Sequence, residues 1–178
     1  MDSALFLDRD GTIIKDGGHI SNVNQVKFYD FTFTALRKAQ KYFKLFIITN
    51  QPGIAYGFIT HGDVKIVNSF ILSVLSKKGI HIEDVFYCPH AKEDSCQCRK
   101  PNTFFVDQAV SSHKLNISNS FVVGDHPSDV LLAKRSGMQG IYVLTGHGQK
   151  HKKEISEDVL VKRNLNTAID FIIKRIQS

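Results

Sequence analysis

The chain has 178 residues, 42% of them hydrophobic and 22% charged, with a formal net charge of +6. Those are ordinary values for a globular protein long enough to bury a core, and they predict one domain, 1–178. No apolar run approaches the ~18 residues of a membrane span, and the N-terminus enters a strand without a basic leader, so neither a membrane partner nor a secretory signal is expected.

Ala4-Leu5-Phe6-Leu7 is an apolar run closed by the turn pair Asp10-Gly11, which reads as a buried strand over about 4–8 that carries Asp8 and Asp10 at its end. Residues 12–28 read as a loop or small hairpin. Helical spacing of Phe33, Leu36, Ala39 and Phe43 predicts a helix over 31–43, and Leu45 to Ile48 is a second buried strand that ends at Thr49-Asn50-Gln51-Pro52-Gly53. Val64, Val67, Ile71, Val74 and Leu75 share a helix face, and Gly79 stops it. Val85-Phe86-Tyr87 is a third strand, and Cys88 to Pro101 is a loop. Asn102 is the expected cap of a helix running to about His113. Phe121-Val122-Val123 is a fourth strand, ending at Gly124-Asp125, and a helix follows over 128–136. Ile141 to Leu144 is a fifth strand, and residues 145–158 read as polar and flexible. Val159 to Val161 is a short edge strand, and Asn166 is the expected cap of a last helix over 167–176. Strands that alternate with helices predict an α/β fold: a Rossmann-like three-layer sandwich with a mainly parallel central sheet. No insertion is long enough to make a separate cap domain.

Ligands of such sheets bind beyond the carboxyl ends of the strands. Asp8 and Asp10 follow strand one, Thr49 and Asn50 strand two, Arg99 and Lys100 strand three, and Asp125 and Asp129 strand four. Three close carboxylates repel one another, and a divalent cation relieves that. Hard oxygen ligands suit Mg²⁺, and Lys100, Thr49 and the metal are the parts that hold a phosphoryl group. The positive net charge fits nucleic acid or a small anionic substrate. Basic residues are spread along the chain, and the one tight cluster, Lys150-His151-Lys152-Lys153, reads as a solvated loop. The small anionic substrate is therefore the preferred reading.

Asp8-Arg9-Asp10-Gly11-Thr12, Thr49-Asn50-Gln51, Arg99-Lys100-Pro101 and Gly124-Asp125 followed four residues later by Asp129 together resemble the motifs of the haloacid dehalogenase-like phosphatases. Thr49 to Ala55 and Cys88-Pro89-His90…Cys96-Gln97-Cys98-Arg99-Lys100-Pro101 narrow the resemblance to its heptose bisphosphate 7-phosphatases, with the histidinol phosphatases beside them. The resemblance implies that Asp8 attacks phosphorus and that Asp10 is the acid and then the base. It also implies that Mg²⁺ sits on Asp8, the Asp10 carbonyl and Asp125, and that Thr49 and Lys100 steady the phosphoryl oxygens. Asp16, Gly17, Gly18, His19, Asn50, Gln51 and Pro52 then line the substrate pocket, and Arg99 recognises the rest of a small phosphorylated sugar. His126 and Asp129 are candidates for supporting Lys100 or the metal. His126 stands where the family commonly has lysine, and Pro52 and Tyr56 where it usually has serine and arginine. Losing that arginine weakens the case for a second substrate phosphate. Histidinol phosphate and a nucleic-acid 3′-phosphate are the alternative substrates, and a non-catalytic zinc-stabilised binding module is the alternative class.

Cys88, His90, Cys96 and Cys98 place four zinc-type ligands in the loop 88–100. Three thiols and one imidazole make a closed structural Zn²⁺ site, which would fix the loop carrying Arg99 and Lys100. Three clustered cysteines argue against a disulfide framework and favour a reducing compartment, hence the cytoplasm. His147 reads as a loop residue. Phe28, Phe31 and Phe33 read as core with a share left for a dimer contact, so a monomer or weak homodimer is expected.

Overall fold

Alternating apolar runs and amphipathic segments assemble into six parallel strands in the computed structural model, which describes residues 1–177. The strands are β1 (Ser3–Leu7), β2 (Lys44–Asn50), β3 (Asp84–Cys88), β4 (Asn116–Gly124), β5 (Gln139–Val143) and β6 (Leu160–Lys162). Their order is β3-β2-β1-β4-β5-β6, and every neighbouring pair is parallel. The helices are α1 (Thr32–Ala39), α2 (His61–Lys77), α3 (Phe104–His113), α4 (Pro127–Arg135), α5 (Gly148–His151) and α6 (Leu165–Ile176).

Successive strand residues point to opposite faces, which divides the core in two. Leu5, Leu7, Leu45, Ile47, Val123 and Val143 pack against α1, α2 and α6 through Leu36, Ile71 and Ile169. Ala4, Phe6, Phe46, Ile48 and Val122 pack against α3 and α4 through Val106 and Leu132. Strands buried on both faces need continuous apolar runs, as β1 and β2 have. Phe28, Phe31 and Phe33 are partly buried against the first of these cores. The three-layer α/β expectation therefore holds, with no separate cap domain among the described residues.

Helix ends differ from the sequence expectation where side chains have other partners. Asn102 does not cap α3: its Nδ2 donates to the Cys96 carbonyl at 2.8 Å, and its Oδ1 accepts from Arg135 at 3.1 Å. The residue preceding α3 is Thr103, which makes no side-chain cap bond. The cap of α6 is Asn164, whose Oδ1 accepts from the Thr167 N–H at 3.1 Å, while Asn166 lies inside the helix and donates to Asp170. Helix α1 stops at Ala39, and the next residues close tighter turns. The stretch 145–158 is not irregular throughout. It contains α5 and a 3₁₀ turn over Lys152–Glu154, seated by the Tyr142 hydroxyl, which donates to the Gly148 carbonyl at 3.0 Å.

Candidate active site

Strand order reverses between β1 and β4, so the connections leaving their carboxyl ends diverge and open a crevice. Asp8 directly follows β1 and Asp125 directly follows β4, and register places Leu7 beside Val123. Between these ends lies an open cavity of about 820 Å³. Asp16, Gly18 and His19 form one wall, Lys92, Ser95, Cys96 and Arg99 a second, and His126, Pro127, Leu131, His147, His151 and Glu154 a third. Asp8, Asp10, Thr49, Asn50, Gln51, Pro52, Lys100, Asp125 and Asp129 also line it. Gly17 does not line it; a Cβ at that position would face Ile20.

Lys100 is at the centre. Its Nζ donates to Asp8 Oδ1 and Asp129 Oδ1, each at 2.6 Å, and to the Ile48 carbonyl at 2.8 Å. Burial opposes its charge, but the Asp129 and Asp8 carboxylates outweigh that and push the ammonium up. Burial pushes the Asp8 carboxyl up, the nearby Lys100 offsets part of this, and Asp129 adds to it. Carboxylate oxygens of Asp8, Asp125 and Asp129 lie within 4.8 Å of one another. One ammonium is too little positive charge for three buried carboxylates. Burial, followed by Asp8 and Asp129, accordingly raises Asp125 to about 9. Such an oxygen-only donor set fits a hard divalent cation. Asp125 Oδ2 also accepts from the His147 N–H at 2.7 Å. Gly11, at φ +86°, has no room for a side chain there: a Cβ would lie 2.0 Å from that oxygen.

Asp10 stands apart from this trio. Arg9, fully buried, donates to Asp10 through Nε at 2.9 Å and Nη2 at 3.2 Å, and its Nη1 reaches Asn68 on α2 at 2.8 Å. Gln51 Nε2 donates to Asp10 Oδ2 at 2.9 Å, and Thr49 Oγ1 lies at 3.4 Å. Burial raises the Asp10 carboxyl despite the neighbouring Arg9 guanidinium. Two carboxyls two residues apart are thus held in different surroundings, the arrangement that lets neighbouring carboxyls differ in proton affinity.

Asn50 holds the Lys100 backbone from both sides, accepting from its N–H at 3.0 Å and donating to its carbonyl at 3.3 Å. Arg99 donates to the His90 carbonyl at 3.1 Å. Both contacts fix the loop that follows β3. Inside that loop Cys88 Sγ lies 3.5 Å from His90 Nδ1 and from Cys96 Sγ, and 3.2 Å from Cys98 Sγ. His90 Nδ1 to Cys98 is 3.3 Å, and Cys98 to Cys96 is 3.8 Å. Tetrahedral bonds of ~2.3 Å to sulfur and ~2.0 Å to nitrogen require edges of roughly 3.5–3.8 Å; three of the five distances meet this and two, at 3.2 and 3.3 Å, fall just short, so a small outward shift of Cys98 would let the four ligands hold Zn²⁺. His126 Nδ1 faces Ser128 at 2.9 Å, and the residue occupies the cap position of α4.

Residues 97–168 match the HAD-hydrolase-like family model. The D-glycero-beta-D-manno-heptose-1,7-bisphosphate 7-phosphatase of Helicobacter pylori is 33% identical over 171 residues, 95% of this chain and 96% of that one. The chain belongs to the haloacid dehalogenase-like phosphatases. The Histidine biosynthesis bifunctional protein HisB of Campylobacter jejuni is 32% identical over 88% of this chain, which spans 44% of that protein's length. The fold also matches the D,D-heptose 1,7-bisphosphate phosphatase of B. bronchiseptica, a crystal structure complexed with magnesium and phosphate. The TM-score is 0.89, with 23% identity over 97% of this chain and 99% of that one.

For a phosphatase of this family, some of the contacts were not legible beforehand. Arg9 and Asn68 meet across 59 positions of sequence, and only the position of Arg9 between two acids hinted at pairing. The N–H of His147 on Asp125 is a backbone contact that no side-chain pattern announces. His151 and Glu154 lie in a stretch whose composition reads as solvent-facing, yet both line the cavity.

Proposed function

We propose that this chain removes the 7-phosphate of D-glycero-D-manno-heptose 1,7-bisphosphate, or of a closely similar phosphosugar, through an aspartyl-phosphate on Asp8. The observation that carries this reading is the pairing of Asp8 with Lys100 at the strand crossover while Asp10 is held separately by Arg9 and Gln51. Asp8 Oδ attacks phosphorus as the sugar oxygen leaves. Asp10, raised by burial, gives that oxygen its proton and then takes one from the water that hydrolyses the acyl phosphate. Lys100 and Thr49 stabilise the phosphoryl oxygens, and Asp129 holds the Lys100 ammonium in line. Asp16, Gly18, His19, Asn50, Gln51, Pro52 and Arg99 hold the sugar. Asp8, Asp125 and the Asp10 carbonyl would hold Mg²⁺, which would supply charge neutralisation for the phosphoryl group. Zn²⁺ on Cys88, His90, Cys96 and Cys98 is structural. The chain works as one domain, in the cytoplasm. No helix among the described residues is long and apolar enough to cross a membrane.

A phosphate-release assay on heptose bisphosphate, histidinol phosphate and 3′-phosphorylated DNA tests the substrate. The highest kcat/KM is expected on the bisphosphate, by about tenfold or more, the scale of one charge-assisted contact. A preference for histidinol phosphate would move the chain to the second family of relatives.

The metal has a pH signature. With its carboxyl at about 9, folded Asp125 keeps a proton that the unfolded chain releases near pH ~4. The folded state then binds more protons, so this group's stabilisation is complete below about pH 4 and is lost as pH rises toward about 9. Mg²⁺ replaces that proton. Its increase of Tm should therefore be larger at about pH 8 than at about pH 6, by differential scanning fluorimetry. An equal or smaller gain at the higher pH would count against Asp125 as a ligand.

A further inference from the structure

Half of the eight histidines in this chain, His19, His126, His147 and His151, line the one cavity. Three of them touch on its third wall. The rings of His126 and His151 are 5.0 Å apart, and those of His147 and His151 are 5.9 Å apart. His126 directly follows Asp125, and the His147 N–H binds Asp125. His151 therefore stands one ring further out than the carboxylates, where the end of a substrate remote from the reacting phosphate would lie.

Each ring on this wall has one nitrogen held by a protein partner. His126 Nδ1 faces Ser128, and His147 Nε2 lies 3.1 Å from Asp16. His151 Nδ1 lies 2.6 Å from Glu154 Oε1, which fixes the ring and leaves Nε2 for a ligand. The wall is firmly seated. The Tyr142 hydroxyl holds the Gly148 carbonyl, and the His151 N–H donates to the His147 carbonyl at 3.1 Å. Lys150, Lys152 and Lys153 are exposed and adjoin His151 in the chain without lining the cavity, so their charge acts on it at longer range. Tyr56, a neutral phenol whose hydroxyl donates to Glu93 at 3.1 Å, supplies no positive charge and does not line the cavity. Arg99 has one guanidinium nitrogen committed to the His90 carbonyl.

We infer that His151, backed by the lysine run 150–153, is the subsite for the second, non-reacting phosphate of the substrate. It is a specificity-determining residue: it grips the anionic group that distinguishes a sugar bisphosphate from a monophosphate, and the lysines draw that group in. The inference rests on the phosphatase reading of the same cavity.

The test compares kcat/KM on heptose 1,7-bisphosphate with kcat/KM on heptose 7-phosphate. In His151→Gln the ratio should fall about tenfold, the effect of one charge-assisted hydrogen bond. The double variant Lys152→Gln/Lys153→Gln alters only exposed side chains, and should lower the same ratio and flatten its dependence on salt. A ratio that shifts by less than about threefold in both variants overturns the inference. So does a loss of preference in Lys92→Gln alone, which would place the second phosphate on the zinc-loop wall. A wild type that cleaves neither sugar sinks the phosphatase reading as well, whereas cleavage of both with an unmoved ratio sinks only the subsite.

Discussion

Asp8→Asn is expected to lower kcat by ~10⁴-fold or more, the scale of losing a covalent nucleophile. The amide has nearly the same shape as the carboxylate, and its oxygen still accepts from Lys100, so geometry is preserved while nucleophilicity is removed. Stability should move the other way in metal-free protein. Asp8 is a buried carboxylate whose charge helps to raise Asp125, and neutralising it relieves that repulsion. A Tm equal to or above wild type without Mg²⁺, together with a collapsed turnover, is the expected pair of results. Single-turnover kinetics and a melting curve measure both. Residual activity within tenfold of wild type would remove Asp8 from the chemistry.

Stripping zinc from the loop after β3 should produce the second large effect. Purified protein is expected to carry about one equivalent of Zn²⁺. Structural sites bind with apparent free energies of ~10–16 kcal/mol in zinc-finger peptides, where binding is folding. Here a large core remains without the metal, so a few kcal/mol is the expected loss, or a fall in Tm of about 10 °C. Cys98→Ser should behave similarly. Activity should fall too, because Lys100 lies two residues beyond Cys98 and Asn102 is tied to the Cys96 carbonyl. Metal analysis alongside melting decides this. Less than about half an equivalent of zinc, or an unchanged Tm after chelation, would leave Cys88, His90, Cys96 and Cys98 as ordinary thiols and imidazole.

Much of the sheet could be read from the chain because β1, β2 and β4 are buried on both faces and must be written in continuous apolar residues. The polar residues that break those runs, Asp8, Thr49 and Asp125, necessarily fall at one edge. Helix termini were harder. Asn102 and Asn166 have the composition of caps, but an asparagine side chain takes whichever partner the tertiary structure offers, and here those were the Cys96 carbonyl and Asp170. The walls of the site were hardest. Little in the local sequence distinguishes His151 from a solvated residue: His147 lies four residues earlier in the same connection, but His126 arrives from the end of β4. Arg9 is the converse case: a charged residue with no exposure, whose burial is tolerable only because Asp10 and Asn68 satisfy its guanidinium.

The strand order also separates what can change from what cannot. Asp8, the proposed nucleophile, and Asp125 follow β1 and β4, the innermost strands, which have a partner on either side and helices above and below. Two of the three walls leave strands further out: the zinc-type loop follows β3 at the sheet edge, and the histidine wall is completed by the connection after β5. Substitutions in those outer connections can reshape what the cavity accepts while the reacting atoms keep their positions. Selectivity can therefore drift in this chain without passing through an inactive form, and a designer could exchange residues 92–95 or 149–154, which spare Cys96, Cys98 and the His147 N–H on Asp125, as cassettes on an unaltered reaction centre.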